Sequence, residues 1–320
     1  MLRMILLRLP QMLIVVLGVS FLTYSIMFLL PGDVVSYLLG DNYTEEAAEA
    51  LRQELHLDQP FLVRYFTWLG DFLTGQGGTS LIPPHQEVWD LVWKSLLPTV
   101  ELLIVAEIFA IVVAVLFAVI SVLSRSRVVD RVIQAIALAC NSIPGFVLGL
   151  LLIMLFSVQL KLLSPRGWVS PFGPGGSWAE NIGHILFPGI VLGIFTFPVI
   201  MRVFRAELVE QLDFEDYVTL ARLKGIPGRR VVFNHLLRNS SFGLLTVVGI
   251  NLARLIGGAV IIEAVFAIPG MGTLIRTSVV SHDTPTALVT VTVIAIFVVV
   301  MNLIIDVLYA VLDPRVRDAG

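Results

Sequence analysis

Six apolar stretches, roughly 9 to 30, 97 to 123, 132 to 160, 183 to 203, 240 to 267 and 285 to 312, constrain this chain more than anything else in it. Each is long enough to cross a hydrocarbon core of about 30 Å as a helix, which takes about 20 apolar residues. Lipid offers no partner to an open peptide group, so every stretch is predicted to be helical. Of the 320 residues, 57% are hydrophobic and 14% charged, against about a quarter charged in a soluble domain. The fold class is therefore an all-α polytopic membrane protein with six transmembrane helices. The first stretch follows Arg3 and Arg8 as a signal peptide would, but it runs on for about 22 residues without a small-x-small cleavage site. It reads as an uncleaved membrane helix.

Orientation follows from the basic residues. They gather at the N-terminus (Arg3, Arg8), in the second loop (Arg125, Arg127, Arg131), in the fourth loop (Arg202, Arg205, Arg222, Lys224, Arg229, Arg230, Arg238) and at the C-terminus (Arg315, Arg317). These segments alternate correctly to lie on one side, the cytoplasm, so both termini are expected inside a bacterial-type cell membrane. The first loop is acidic and falls outside. It carries a helix signal of its own, with Thr44 as N-cap, Glu45 and Glu46 in the first turn, and Ala47, Ala48, Leu51 and Leu55 along one face. Trp89 and Trp93 lead into the second span and suit the interface. The expected division is residues 1–30 for the N-terminus and first helix, 31–96 for the external subdomain, 97–312 for a five-helix core, and 313–320 for a cytoplasmic tail.

The polar insert between the fourth and fifth spans, about 204–239, reads almost residue by residue. Asp213 suits an N-cap, Glu215 and Asp216 the positive helix end, Arg222 and Lys224 the negative end, and Gly225 a left-handed close. That spacing predicts a helix of about 11 residues, some 16 Å long. Tyr217, Val218 and Ala221 would share an apolar face, and Pro227 would open the next helix. Such a helix either presses into a partner's groove or lies on the lipid surface, where Arg229 and Arg230 would meet anionic headgroups. Sequence chemistry leaves both open.

The insert resembles the cytoplasmic docking loop of binding-protein-dependent ABC importers. Against the general Glu-Ala-Ala…Gly pattern, Ala221, Gly225 and Leu237 agree. The narrower form of the dipeptide and oligopeptide branch, to which nickel permeases are also related, agrees at Asp216, Tyr217, Val218, Ala221, Lys224, Gly225, His235, Leu237, Arg238 and Asn239. Further similar segments are LLPGD (Leu29 to Asp33), LDQPFLVRY (Leu57 to Tyr65), SIPGFVLGLLL (Ser142 to Leu152), IIEAVFAIPGMG (Ile261 to Gly272) and LDPRVR (Leu312 to Arg317). One departure is Gly77-Gly78, where relatives commonly read Gly-Asp-hydrophobic-Gly.

The resemblance implies a type I importer permease fold, with the first helix outside a core of five. It implies a second, homologous permease subunit as partner, one or two ABC ATPase subunits below and an extracytoplasmic solute-binding protein above. The expected cargo is a dipeptide or oligopeptide, or nickel or another small solute in the same architecture. The chain has no G-x-x-x-x-G-K-[ST] loop, so ATP and Mg are expected on the ATPase partners. No cofactor, metal site, nucleic-acid partner or enzymatic activity is expected in this chain, and lipid is its solvent. A secondary transporter would show paired repeats, and no second half is evident.

Ionisable groups within spans are functional candidates, because lipid makes them costly to leave unpaired. They are Glu101, Glu107, Arg254, Glu263 and Asp306. Arg254 and Glu263 lie about 13.5 Å apart along a helix and cannot pair directly. Glu263 either lines the pathway entrance or serves a packing or helix-end role. Gly257-Gly258 reads either as close helix packing or as a flexible gate. Pro144, Gly145 and Pro198 would permit kinks beside a pathway.

Overall fold

The computed structural model describes residues 2–32, 34–124, 126–161, 167–172, 176–214, 218, 220, 223–232 and 237–312. Among them the chain is helical, with one isolated bridge between Thr79 and Glu87. It divides into two compact units: Leu2–Pro98 with Pro269–Val299, and Thr99–Ile268 with the chain from Val300 onward. Pro269–Val299 thus groups with the N-terminal part rather than with the stretch that immediately precedes it.

In the first unit, α1 (Leu2–Leu29) is a membrane-length helix. After α2 (Val34–Leu39), α3 (Glu45–Glu54) begins where the sequence places it. Thr44 is extended and its side chain accepts from the Ala47 amide at 3.2 Å. That contact satisfies one of the open donors of the first turn. α4 (Phe61–Leu73) lays Phe61 and Tyr65 against Tyr24 of α1, with ring centroids 5.0 and 5.5 Å apart. Its far end continues as a row of stacked rings, Trp68, Phe72, Trp89 and Trp93. Trp89 is therefore packed within this unit, while Trp93 remains 62% exposed. Gly77 is needed there because a Cβ would lie 2.8 Å from the Trp89 ring, and Gly78 has φ +75°. These two features account locally for the unusual Gly77-Gly78 pair.

The second helical stretch starts earlier than its apolar run. α5 spans Val88–Leu123, 36 residues, or about 54 Å at 1.5 Å per residue. Within the second unit, Ala106, Ala110, Ala114 and Ala118 recur every fourth residue on α5 and are all fully buried. Small residues at this spacing let helix backbones approach closely. Gly193 of α8 (Trp178–Phe214) completes the fit, since a Cβ on it would lie 2.7 Å from the Ala106 carbonyl oxygen.

The third predicted span is not one straight helix. α6 (Arg127–Ser142) and α7 (Gly145–Leu152), which continues through a π-helical segment to Gln159, meet at 98° across Ile143 and Pro144. Proline disfavours helical backbone in the residue before it, and Ile143 is extended. The fourth span runs on without a break: α8 carries straight through Asp213, so Asp213 is helical and does not cap a new helix. α9 (Leu237–Phe266), α10 (Met271–Val280) and α11 (Thr284–Leu312) follow, α10 being an element the apolar pattern did not show. Among the described residues, four helices are long and apolar enough to cross a membrane, or up to six if each of two bent pairs counts as one span. The chain is a polytopic helical membrane protein.

Candidate functional site

Within the second unit the polar insert packs through Val218, a residue the sequence assigned to a partner. Val218 is fully buried, in a cluster with Phe204, Leu208, Val231 and Val232. Leu220 and Leu223 instead point outward, 56% and 79% exposed. Val218 thus anchors the segment and the two leucines are exposed, while Tyr217 and Ala221, the other members of the expected face, lie outside the described residues. Asp216, Tyr217, Ala221, Arg222 and His235 lie outside the described residues, as does the side chain of Arg229. Lys224 and Arg230 are exposed. The Lys224 amide donates to the Leu220 carbonyl at 3.1 Å, and Gly225 then takes φ +71°, a conformation costly for any residue with a Cβ. Pro227 precedes a helical turn, Gly228–Val231, and its carbonyl accepts from the Arg230 and Val231 amides.

A three-helix polar junction lies within the same unit. Arg205 on α8 donates from Nε to Asp130 Oδ1 and from Nη2 to Asp130 Oδ2, both at 2.8 Å. Ser121 near the end of α5 donates to the same carboxylate and accepts from Arg205 Nε at 2.7 Å. Gln134 of α6 adds a fourth member, donating to Oδ2 at 2.9 Å. Sequence reasoning counted Arg205 only as one of several basic loop residues. The signal that was present is local: Asp130 stands in an otherwise basic loop, where an anion needs a partner.

The intramembrane candidates separate into two kinds. Glu263 is fully buried and accepts from Thr99 Oγ1 of α5 at 2.5 Å. The contact ties the helix that carries Glu263 to α5. Glu101 likewise accepts from Trp168 Nε1 at 2.7 Å and Asn181 Nδ2 at 3.0 Å, tying α8 and the segment before it to α5. Arg254 is exposed and lines a cavity of about 370 Å³ with Asn141, Thr196, Asn251 and Gly258. Pro144 and Gly145 border it too, so the α6–α7 break forms part of its wall. Asn251 is 2% exposed and lies beside Glu107 without a hydrogen bond in good geometry. The glycine pair also divides. A Cβ on Gly258 would lie 2.9 Å from Leu192 Cδ1, whereas one on Gly257 would meet nothing within 4 Å. Arg254, Gly258 and the helix break therefore come together, and Glu263 does not join them.

Comparison with known proteins covers the whole chain. Residues 88–318 match the family described as the binding-protein-dependent transport system inner membrane component. Residues 1–103 match the N-terminal model for the membrane component of such systems. The oligopeptide transport system permease protein AppB of Bacillus subtilis (strain 168) is 32% identical, with 95% of each chain covered. The di/tripeptide transport system permease protein DppB of Pseudomonas aeruginosa (strain UCBPP-PA14) is 34% identical, with 94% of each covered. An integral membrane chain with these matches belongs to the binding-protein-dependent transport system inner membrane component family, the permease subunits of bacterial importers.

Proposed function

We propose that this chain is one of two similar permease subunits that form the ATP-driven path for dipeptides or oligopeptides. The observation that carries this reading is its end-to-end likeness to permeases named for di/tripeptide and oligopeptide transport. Both termini and the Leu220–Arg230 segment face the cytoplasm, in keeping with the basic residues gathered there. Leu220 and Leu223, flanked by Lys224 and Arg230, dock an ABC ATPase subunit, which binds ATP and Mg. This chain binds neither. An extracytoplasmic solute-binding protein delivers the peptide from the other side.

Transport then follows from linkage. ATP can bias the membrane helices between inward-open and outward-open states only by binding better to one of them. A docking segment anchored by Val218 moves with its own helices, because Val218 is part of their core. The cavity beside Arg254 lies on the solute path. Its exposed guanidinium offers a peptide carboxylate a charge-assisted partner.

The test is uptake of labelled dipeptides and oligopeptides into liposomes containing this chain, its partner permease, the ATPases and the binding protein. Uptake that requires ATP and competes with unlabelled peptide is the expected result. A complex that hydrolyses ATP in response to its binding protein but moves no peptide would overturn the peptide assignment alone.

A further inference from the structure

The short helix α4 has its depth fixed by what it touches within the first unit. Phe61 meets Phe28 and Phe21 of α1 with ring centroids 5.1 and 5.9 Å apart, and Tyr65 meets Phe21 at 5.1 Å. The Tyr65 hydroxyl reaches furthest along α1, lying 2.9 Å from Ser20 Oγ and 3.4 Å from the Leu17 carbonyl oxygen. Ser20 and Tyr65 are both buried. The Leu17 carbonyl lies about 18 Å before Leu29 along the helix axis. The membrane-length part of α1, Arg8–Leu29, has 22 residues, or about 33 Å, and carries no charge after Arg8. It is only about as long as a hydrocarbon core of roughly 30 Å is thick, so little of it can project. Tyr65, and with it the first turns of α4, therefore lies below the level at which α1 leaves the lipid, although the charge pattern puts the whole of residues 31–96 outside.

The faces of α4 agree with that depth. With 13 residues it is too short to cross, and a mainly apolar helix of this length suits the interface. Phe61, Tyr65, Trp68 and Phe72 turn toward other rings of the unit. Leu62, Phe66 and Leu73 share a second face by helical spacing and are 54%, 62% and 74% exposed. Arg64, Thr67 and Asp71 fall on the edge opposite that stripe. A short helix with an exposed apolar stripe and a charged far edge lies in the plane of a membrane interface. The stripe is continuous with α1, whose exposed Phe28 touches Phe61.

We propose that α4 is an interfacial helix embedded in the leaflet at the Leu29 end of α1. Acyl chains cover Leu62, Phe66 and Leu73, and Arg64 and Asp71 stand at the headgroup level. Because Phe72 stacks on Trp89, the same helix holds the start of α5 at the membrane boundary. The assignment is independent of which solute the transporter carries.

The experiment uses the complete transporter in liposomes, with Cys140→Ser in this chain and cysteine-free partners. A spin label is placed at one introduced cysteine, and its collisions with oxygen, which enters lipid, are compared with those with a nickel chelate, which stays in water. Glu49→Cys, exposed on α3, is the water reference, and doxyl-labelled phosphatidylcholine is the lipid reference. Leu62→Cys and Phe66→Cys are expected to favour oxygen over nickel several-fold more than Glu49→Cys, approaching the lipid reference. Both side chains are more than half exposed, so the labels do not disturb a core. Nickel collisions at either position equal to those at Glu49→Cys would put the stripe in water and overturn the proposal. Exclusion of both reagents at either position would mean that a protein chain covers the stripe, and would overturn it as well.

Discussion

Arg205 and Asp130 meet fork to fork, with two N–H···O contacts of 2.8 Å joining α8 to the first turn of α6. Both side chains are about a quarter exposed, at 26% and 24%, so simple Coulomb attraction is partly screened. Geometry then matters more than charge: a lysine would keep the charge and lose the planar, two-point fit. Arg205→Lys is expected to destabilise the chain by about 1 kcal/mol. Arg205→Ala and Asp130→Ala, measured singly and together by unfolding in detergent, should show a coupling of about 1–2 kcal/mol. Additive effects would mean that the fork contributes nothing beyond its separate halves.

Gly225 is constrained by backbone alone. It is exposed, no atom lies within 4 Å of a Cβ built on it, and its φ is +71°. Alanine there should cost about 1–2 kcal/mol of local closure, and valine more because of its branched Cβ. Gly225→Val should therefore lower ATP-driven uptake while the protein still inserts. Full uptake by correctly inserted Gly225→Val protein would reject the closing role.

Val218, Leu220 and Leu223 lie within six positions and should respond differently. Leu220→Ser with Leu223→Ser removes apolar surface that the isolated chain leaves exposed, so its stability should change by less than about 0.5 kcal/mol. Co-purification of the ATPase should nevertheless fall. Val218→Ala opens a fully buried position and should cost about 1–2 kcal/mol in thermal unfolding before any effect on assembly. If both variants lost ATPase equally at unchanged stability, Val218 would have to face the partner after all.

Individual residues show where the sequence was legible. Gly225 was readable because a single backbone requirement decides it, and Thr44 because a cap bonds within three residues of itself. The inward turn of Val218 was not, because it depends on Phe204, Val231 and Val232, which become neighbours only when the insert folds back. Glu263 could be seen as an expensive charge, but its partner Thr99 is 164 positions away. The cavity beside Arg254 was hidden for a similar reason. Its wall depends on a 98° break, and apolar composition reports that a segment can enter lipid, not whether it crosses as one rod.

The two adjacent glycines offer the sharpest separation between packing and gating. Gly258 approaches Leu192, which is itself only 2% exposed and has little room to give. Gly258→Ala should therefore lose, through overpacking of about 1–3 kcal/mol, whatever it gains in helix propensity. Gly257 has no such neighbour within 4 Å and is exposed. Gly257→Ala should be neutral, or stabilising by up to about 1 kcal/mol, because alanine reduces the freedom of the unfolded chain. Thermal unfolding distinguishes the two variants, and peptide uptake then assigns Gly257 its role. If uptake persists with Gly257→Ala, the pair is explained by the close approach of α8 to Gly258 alone. If uptake fails while stability is kept, Gly257 supplies a backbone freedom that the transport cycle uses, in the wall of helices that also carries Arg254.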